Sequence, residues 1–178
     1  MHKLLEEELL KKYPKILAEM YTPGCMGSGI SCGDGWYFLL DVLYFMIQRR
    51  IDRRTYSVAN KYTHEEKEIP QVVCKQVKEK FGQLRNYYDG GDDTISAWVD
   101  IVEHMSSHVC EECGGHNEYV GTTKNGWIKT LCTTCAKKQN RNLGLREDLI
   151  NIFRKKSEAE QPKKSISEQF ELVFSSDT

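Results

Sequence analysis

Two C-x-x-C pairs bound the most informative part of this sequence, residues 110–135, which reads CEECGGHNEYVGTTKNGWIKTLCTTC. A C-x-x-C turn places two thiolates on one side of a metal ion, and zinc takes four such soft ligands in a tetrahedron. The eighteen residues that separate the pairs lie within the spacing of four-cysteine zinc sites. The sequence therefore predicts one structural zinc ion, and its ligands are Cys110, Cys113, Cys132 and Cys135.

The residues between the two pairs predict a short β-hairpin. Residues 119–123 and 127–131 have the pattern of strands on either side of Lys124-Asn-Gly126, and Asn-Gly favours a two-residue hairpin turn because both residues tolerate a positive φ. Residues 136–139 then continue the second pair as a helix. A cysteine turn, a hairpin and a second cysteine turn at a helix start follow the order of a treble-clef finger, so we expect a zinc module over residues 110–140.

Other uses of these cysteines fit the sequence less well. A redox C-x-x-C pair needs a thioredoxin-like βαβ setting, which the surrounding pattern does not predict. A catalytic zinc keeps one position open to water, whereas four thiolates close the coordination shell. His108 and His116 flank the site and could replace a thiolate, but a place beside the site or in solvent explains them better. The binding energy of a structural zinc would contribute to folding.

The chain before the cysteines, residues 1–109, is predicted to form an α+β core. Apolar residues recur with helical spacing over residues 4–20, and Pro14 should end or kink this helix. After a glycine-rich loop, Asp34 is expected to cap a long helix over residues 35–60 with an apolar stripe and a basic end. The fold class is thus α+β: a helical N-terminal part with a small β-hairpin, followed by a treble-clef-like four-cysteine zinc module.

The hairpin of this core is predicted over residues 72–88. Period-two alternation favours two strands that turn near Phe81-Gly82, although a helix is an open alternative. An acidic turn follows, and Asp93 is expected to cap a helix that leads into the first cysteine. After the finger, we expect a C-terminal helix over residues 141–154 and a mobile or loosely docked tail over residues 155–178.

Composition and charge restrict the possible functions. The chain of 178 residues is 39% hydrophobic and 29% charged, with a formal net charge of −1, and such a balance argues against a protein that mainly binds duplex DNA. No run approaches the roughly 18–20 apolar residues of a membrane span, and no secretory signal pattern begins the sequence. We therefore expect a cytoplasmic protein, in which the remaining cysteines, Cys25, Cys32 and Cys74, are free thiols packed as small hydrophobes.

Three features could bind a ligand, and each also has a simpler structural explanation. Basic and aromatic residues on the predicted hairpin could hold phosphates and stack bases, or could belong to a half-buried hairpin with a solvated charged face; they are Lys78, Lys80, Arg85, Tyr87 and Tyr88. The glycine-rich loop over residues 24–35 could attract an anion to the following helix, or could be a linker that lets Trp36 pack. The acidic residues Asp89, Asp92 and Asp93 could bind Mg²⁺, but a helix cap explains them without catalysis.

Four short motifs occur together in this chain: Gln76-Val-Lys-Glu-Lys-Phe-Gly82 continuing through Leu84-Arg85 and Tyr87-Tyr88, Cys110-Glu-Glu-Cys-Gly114, Gly126-Trp-Ile-Lys-Thr-Leu-Cys132, and Gly33-Asp-Gly-Trp36. In combination they resemble an uncharacterised family of small zinc-finger-bearing proteins that are encoded by tailed phages and prophages. The resemblance covers roughly residues 5–140. It implies an accessory product in the cytoplasm of a bacterial host, and it carries no activity that can be transferred to these residues.

These observations favour a non-enzymatic, zinc-binding phage protein. It would inhibit or redirect a host defence factor by protein contact or by sequestering a ligand. The first alternative is a nucleic-acid-binding zinc-finger protein, and the second is a metal-dependent nuclease or nucleotide hydrolase. The expected partner is a host protein, with a nucleotide, a nucleic acid or a second copy of the chain as alternatives, and no membrane.

Overall fold

The computed structural model describes residues 1–22, 29–59, 68–116, 119–124 and 126–144, without the side chains of residues 54–59. Its helices are α1 (Lys3–Lys12), α2 (Tyr37–Ala59), α3 (Asp93–Ser106) and α4 (Thr133–Lys138). Its strands are β1 (Ile30–Ser31), β2 (Val73–Lys80), β3 (Gln83–Asp89), β4 (Val120–Thr122) and β5 (Thr130–Cys132). Helices and sheets precede the second cysteine pair, which lies at the junction of β5 and α4, and the predicted α+β class is confirmed.

Several sequence predictions fall outside this description. Cys25 is not covered, and neither are the C-terminal helix and tail beyond residue 144. The other two extra cysteines, Cys32 and Cys74, are free and buried, as predicted. Within the described ranges, no helix is long and apolar enough to cross a membrane.

A three-stranded sheet forms the centre of the larger, N-terminal part. Its strand order is β1-β2-β3, with β1 parallel and β3 antiparallel to β2. The predicted hairpin is confirmed, and Phe81 and Gly82 form its turn with φ angles of 54° and 79°. Positive φ at both turn residues matches the right-handed twist of the strands that the turn connects.

Helix α2 packs on this sheet through one apolar stripe. Trp36, in the 3₁₀ turn that leads into α2, is fully buried, and so are Leu40, Tyr44 and Ile47 on the same helical spacing. They share one core with Leu9 and with apolar residues from the strands and from α3. Helix α1 ends at Lys12, two residues before Pro14, as the missing amide hydrogen of proline requires.

Helix α3 covers the free edge of β3. The backbone N–H of Leu84 donates to Ser106 Oγ (2.9 Å), and that of Asn86 donates to Glu103 Oε1 (2.8 Å). Glu103 also pairs with Arg85 at 3.2 Å. Side chains of α3 therefore satisfy strand-edge donors that would otherwise be available to another chain.

Two predicted helix caps were wrong. Asp34 does not cap the helix: Gly33 occupies the cap position, and the Asp34 carboxylate accepts the backbone N–H of His2 instead. Asp92, rather than Asp93, caps α3, because Asp92 has the extended backbone (φ −140°) that lets its carboxylate accept the N–H of Ile95 at 3.0 Å. Asp93 already lies in the first turn of the helix.

Candidate metal centre

The structure brings the four predicted ligands together. The sulfur atoms of Cys110, Cys113, Cys132 and Cys135 all lie within 4.8 Å of one another. Cys113 Sγ and Cys132 Sγ are 3.8 Å apart, and four sulfurs at about 2.3 Å from a tetrahedral zinc would be separated by about 3.8 Å. The cluster can therefore hold one metal ion, and an all-thiolate tetrahedron is a set that zinc prefers.

The first cysteine pair sits in a tight backbone turn. Cys110 N–H donates to Gly115 O (2.9 Å), and Gly114 N–H donates to Cys110 O (2.8 Å). Gly114 has a φ of +71°, which is strained for residues with a side chain. This turn folds residues 110–115 back so that both thiols face the same point.

The second pair lies where a strand becomes a helix. Cys132 ends β5, which pairs with β4, and serves as the N-cap of α4. Its sulfur accepts the backbone N–H of Cys135 at 3.4 Å. The predicted order of turn, hairpin and second pair at a helix start is present; the strands are shorter than predicted, and α4 starts directly at Thr133.

Burial and hydrogen bonding set the thiol acidities. Burial raises the pKa of Cys110, and burial together with the neighbouring thiols raises that of Cys135. Burial alone would also raise the pKa of Cys132, but the Cys135 N–H and the nearby thiols lower it below its ordinary value. The four sulfurs share one small volume, and a bound cation would favour their thiolate forms.

The cysteine turn is anchored to the core by two glycines of the loop before α2. Gly35 N–H donates to Glu111 O (2.8 Å), and Gly33 N–H donates to Glu111 Oε1 (3.0 Å). A Cβ atom at Gly35 would overlap Cys110 O and the Gly114 nitrogen. The glycines are thus explained by close approach of two backbones, which the sequence alone did not reveal.

A second set of contacts joins the finger to the β2–β3 hairpin. Thr130 Oγ1 donates to Gly82 O, and the Trp127 indole N–H donates to the Glu79 carboxylate. Trp36 adds a third connection, because its indole N–H donates to Val109 O at 2.9 Å. The metal centre is therefore fixed to the sheet at one end and to the start of α2 at the other.

Neither flanking histidine joins the cluster. In the ranges that the structure describes, the groups placed to share a metal ion are the four cysteines. His108 instead packs edge-on against His104, with ring centroids 5.6 Å apart, and His116 is exposed.

The basic and aromatic hairpin residues divide between two environments. Cross-strand pairing of Lys78 with Arg85 places both on the outer face of the sheet, and Lys78 lies 5.0 Å from the ring of Tyr87. Arg85 is held there by Glu103. Lys80 lies over the ring of Phe81 at the exposed turn. The fifth residue, Tyr88, is opposite the buried Cys74, packs against the core and bonds Ser96.

The acidic turn is committed to structural contacts. Arg50 pairs with Asp92 through two nitrogens, the shorter contact being 2.7 Å, and this bond lowers the pKa of the Asp92 carboxyl. Asp89 pairs with Lys75 at 3.2 Å. The helix cap, which was the alternative to Mg²⁺ binding as an explanation of these acidic residues, is thus present. Its capping residue is Asp92.

An exposed apolar face on α2 was not predicted. Phe38, Val42, Phe45 and Met46 point away from the core, and their exposed fractions are 70%, 42%, 51% and 38%. The signal was available in the sequence, because these positions are apolar in addition to the buried stripe of the same helix. A surface helix normally has a single apolar stripe, so a second one calls for an explanation.

Fold and site together define an α+β protein with a four-cysteine cluster that can hold one metal ion. Comparison of the chain with protein-family models, with curated proteins and with solved structures finds no match. The resemblance to the phage family therefore stays a prediction based on short motifs, and the metal centre rests on geometry.

Proposed function

We propose that this chain is a zinc-binding, non-enzymatic binding protein that docks a partner protein on the outer face of α2. The observation that carries the proposal is the second apolar stripe of α2. Phe38 and Phe45 alone expose 70% and 51% of their surfaces, and they lie about two turns apart on the same face of one helix. Contiguous exposed apolar residues rimmed by charge are typical of protein–protein contact sites.

The charges beside this stripe indicate the chemistry of the partner. A groove next to Phe45 is also lined by Lys12, Arg49, Asp52 and Arg53. Arg49 lies over the Phe45 ring at 5.8 Å, and within the described part of the chain neither Arg49 nor Arg53 has an ion-pair partner within 4.0 Å. An amphipathic helix with acidic residues beside apolar anchors would complement both features.

The resemblance to phage proteins supports a bacterial host factor as this partner. In that case the zinc ion is structural, and it holds the start of α2 in place through the Gly33–Glu111 and Gly35–Glu111 contacts. Blocking or redirecting a defence protein would then require surface complementarity and no chemical step.

Capture from bacterial lysate by the full chain, followed by titration with the purified partner, tests the proposal. We expect a Phe38→Ser/Phe45→Ser double variant to bind at least tenfold more weakly, a loss of about 1.4 kcal/mol or more. Phe81→Ser is the matched control, because Phe81 is a 72% exposed phenylalanine on the hairpin turn. Equal loss in both variants, or capture of a second copy of the chain alone, would contradict a separate partner on α2.

A nucleic-acid-binding function is the second candidate, supported by Lys78 and Tyr87 on the outer face of the sheet, with Lys80 at the turn. This function requires that the affinity for an oligonucleotide decreases steeply as the salt concentration rises. It also requires that the Tyr87→Ala variant binds the oligonucleotide more weakly than the wild-type chain. Binding that is insensitive to both salt and Tyr87 would count against it.

A further inference from the structure

A cleft of about 410 Å³ lies where β1 and β2 meet the finger. Its volume is in the range of small-molecule sites, roughly 300–1,000 Å³. None of its lining residues is a cysteine of the metal centre. The side chains with polar or aromatic groups there belong to Ser31, Gln76, Lys78, Glu79, Glu111, Trp127 and Lys129.

Trp127 presents a fixed aromatic face in this cleft. Its side chain is 67% exposed, yet its indole N–H is bonded to the Glu79 carboxylate. Glu79 is itself held by the backbone N–H of Gly82 at 2.7 Å. A large ring that is anchored at its edge and open on its face is suited to stacking a planar group.

Two ammonium groups supply positive charge beside the ring. Lys129 has no carboxylate within 4.0 Å among the residues that the structure covers, although Glu111 is near enough to feel its charge. Lys78 bonds the neutral amide of Gln76 at 2.6 Å and faces the ring of Tyr87. Neither ammonium lies within 4.0 Å of a carboxylate among the described residues, so both can contact an anion, although Glu79 and Glu111 also line the cleft.

Glu111 adds an acceptor that lacks a partner. The residue is 97% buried, its exposed fraction being 3%, and Oε1 accepts the Gly33 N–H at 3.0 Å. Oε2 is buried and has no hydrogen-bond partner in the part of the chain that the structure describes. Buried oxygens without a partner are rare, and this one can accept a hydrogen bond that a ligand donates.

We propose that this cleft binds one nucleoside monophosphate. The base stacks on Trp127, an N–H of the base turns towards Glu111 with a small shift of that side chain, and the phosphate lies near Lys129 and Lys78. A longer phosphate chain fits less well, because the carboxylates of Glu79 and Glu111 would repel it. The cleft is separate from the α2 face, so the inference adds a ligand to the proposed protein contact and does not depend on it.

Calorimetric titration of the zinc-loaded full chain with AMP, GMP, CMP and UMP tests this proposal. We expect at least one of the four to bind with one-to-one stoichiometry and a Kd below about 100 µM. The matching nucleoside and inorganic phosphate alone should each bind about tenfold more weakly or worse, since each makes only part of the contacts.

Matched variants locate the site. Trp127→Ala and Lys129→Ala should each weaken binding about tenfold or more. Phe81→Ala and Lys80→Ala remove the same kinds of group from the exposed hairpin turn and should leave the affinity within about twofold. The zinc content of each variant shows whether it is folded. If Trp127→Ala loses zinc, the affinity of Lys129→Ala alone decides whether the cleft is the binding site.

Three results would overturn the proposal. One is the absence of binding by all four nucleotides at 1 mM. Another is unchanged affinity in Lys129→Ala. The last is tighter binding of an eight-residue single-stranded oligonucleotide than of the mononucleotide, which would assign the cleft to nucleic acid.

Discussion

At the scale of single residues, Gly35 has the most specific steric requirement. A Cβ atom there would meet backbone atoms of the cysteine turn, which cannot rotate away as a side chain can. We expect Gly35→Ala to lower the free energy of unfolding by about 1–3 kcal/mol, the usual cost of overpacking. Urea denaturation measures it. Gly144→Ala is the control: its Cβ would make only ordinary contacts, the nearest at 3.4 Å, so a change of similar size there would refute the steric explanation.

The ligand cysteines make a second residue-scale prediction. Cys132→Ser removes a thiolate that belongs to the cluster and also caps α4, so metal content after dialysis should fall from about one ion per chain to near zero. Elemental mass spectrometry gives the stoichiometry. Cys32→Ala removes a buried thiol from the core and should keep the metal. A full complement of zinc in Cys132→Ser would mean that the ion lies elsewhere.

At the scale of elements, the start of α3 depends on the ion pair between Asp92 and Arg50. Arg50 lowers the pKa of the Asp92 carboxyl in the folded protein. The ion pair therefore stabilises the fold fully above the ordinary aspartate pKa of about 3.9. This stabilisation is lost as pH falls through the lower pKa that Asp92 has in the folded state. Asp92→Asn keeps a capping side chain but loses the charge. At pH 7 we expect it to unfold more easily by about 1 kcal/mol.

The pH dependence of that difference is the stricter test of the same pair. Unfolding measured from pH 7 to pH 2 should show the gap between the two proteins narrowing from the ordinary aspartate pKa of about 3.9 and closing only below the lowered pKa of folded Asp92, where the wild-type carboxyl is neutralised as well. Asp100→Asn is the control, since Asp100 is an exposed aspartate of the same helix. A stability gap that stays constant with pH would show that the charge on Asp92 does not stabilise the fold.

The same elements show which features of the fold could be predicted from the sequence and which could not. The β2–β3 hairpin was predictable because its period-two pattern and its turn are local signals. The cap of α3 was misplaced by one residue because Asp92 and Asp93 are adjacent, and only the backbone conformation distinguishes them. Strand β1 was missed because its two residues pair with Val77 and Lys78, more than forty positions away. The cysteine cluster was predictable because the spacing of its residues is itself what a four-cysteine metal site requires.

At the scale of the whole molecule, residues 1–144 form one compact unit, so the metal should stabilise more than the finger. The contacts that transmit this effect are Gly35–Glu111, Gly33–Glu111 and Trp36–Val109, which tie the start of α2 to the cysteine turn. Without the ion, the turn loses its geometry, and the backbone N–H groups of Gly33 and Gly35 lose their acceptors. The effect should fade from the turn of the β2–β3 hairpin, which the finger contacts at Gly82 and Glu79, towards the middle of its ladder, which the finger does not join.

Hydrogen exchange before and after chelation of zinc tests this coupling. We expect faster exchange in two segments, residues 110–135 and the start of α2 from Gly33 to Leu40, while the centre of β2 stays protected. Restoring zinc should restore protection, and Cys132→Ser should reproduce the chelated pattern without a chelator. Faster exchange confined to the finger would mean that the contacts with Glu111 and Val109 do not transmit its stability, and the finger would then be an independent module. Uniform loss of protection, including β2, would instead make the metal a requirement for the entire core, because a sheet that cannot persist without zinc has too little apolar burial of its own.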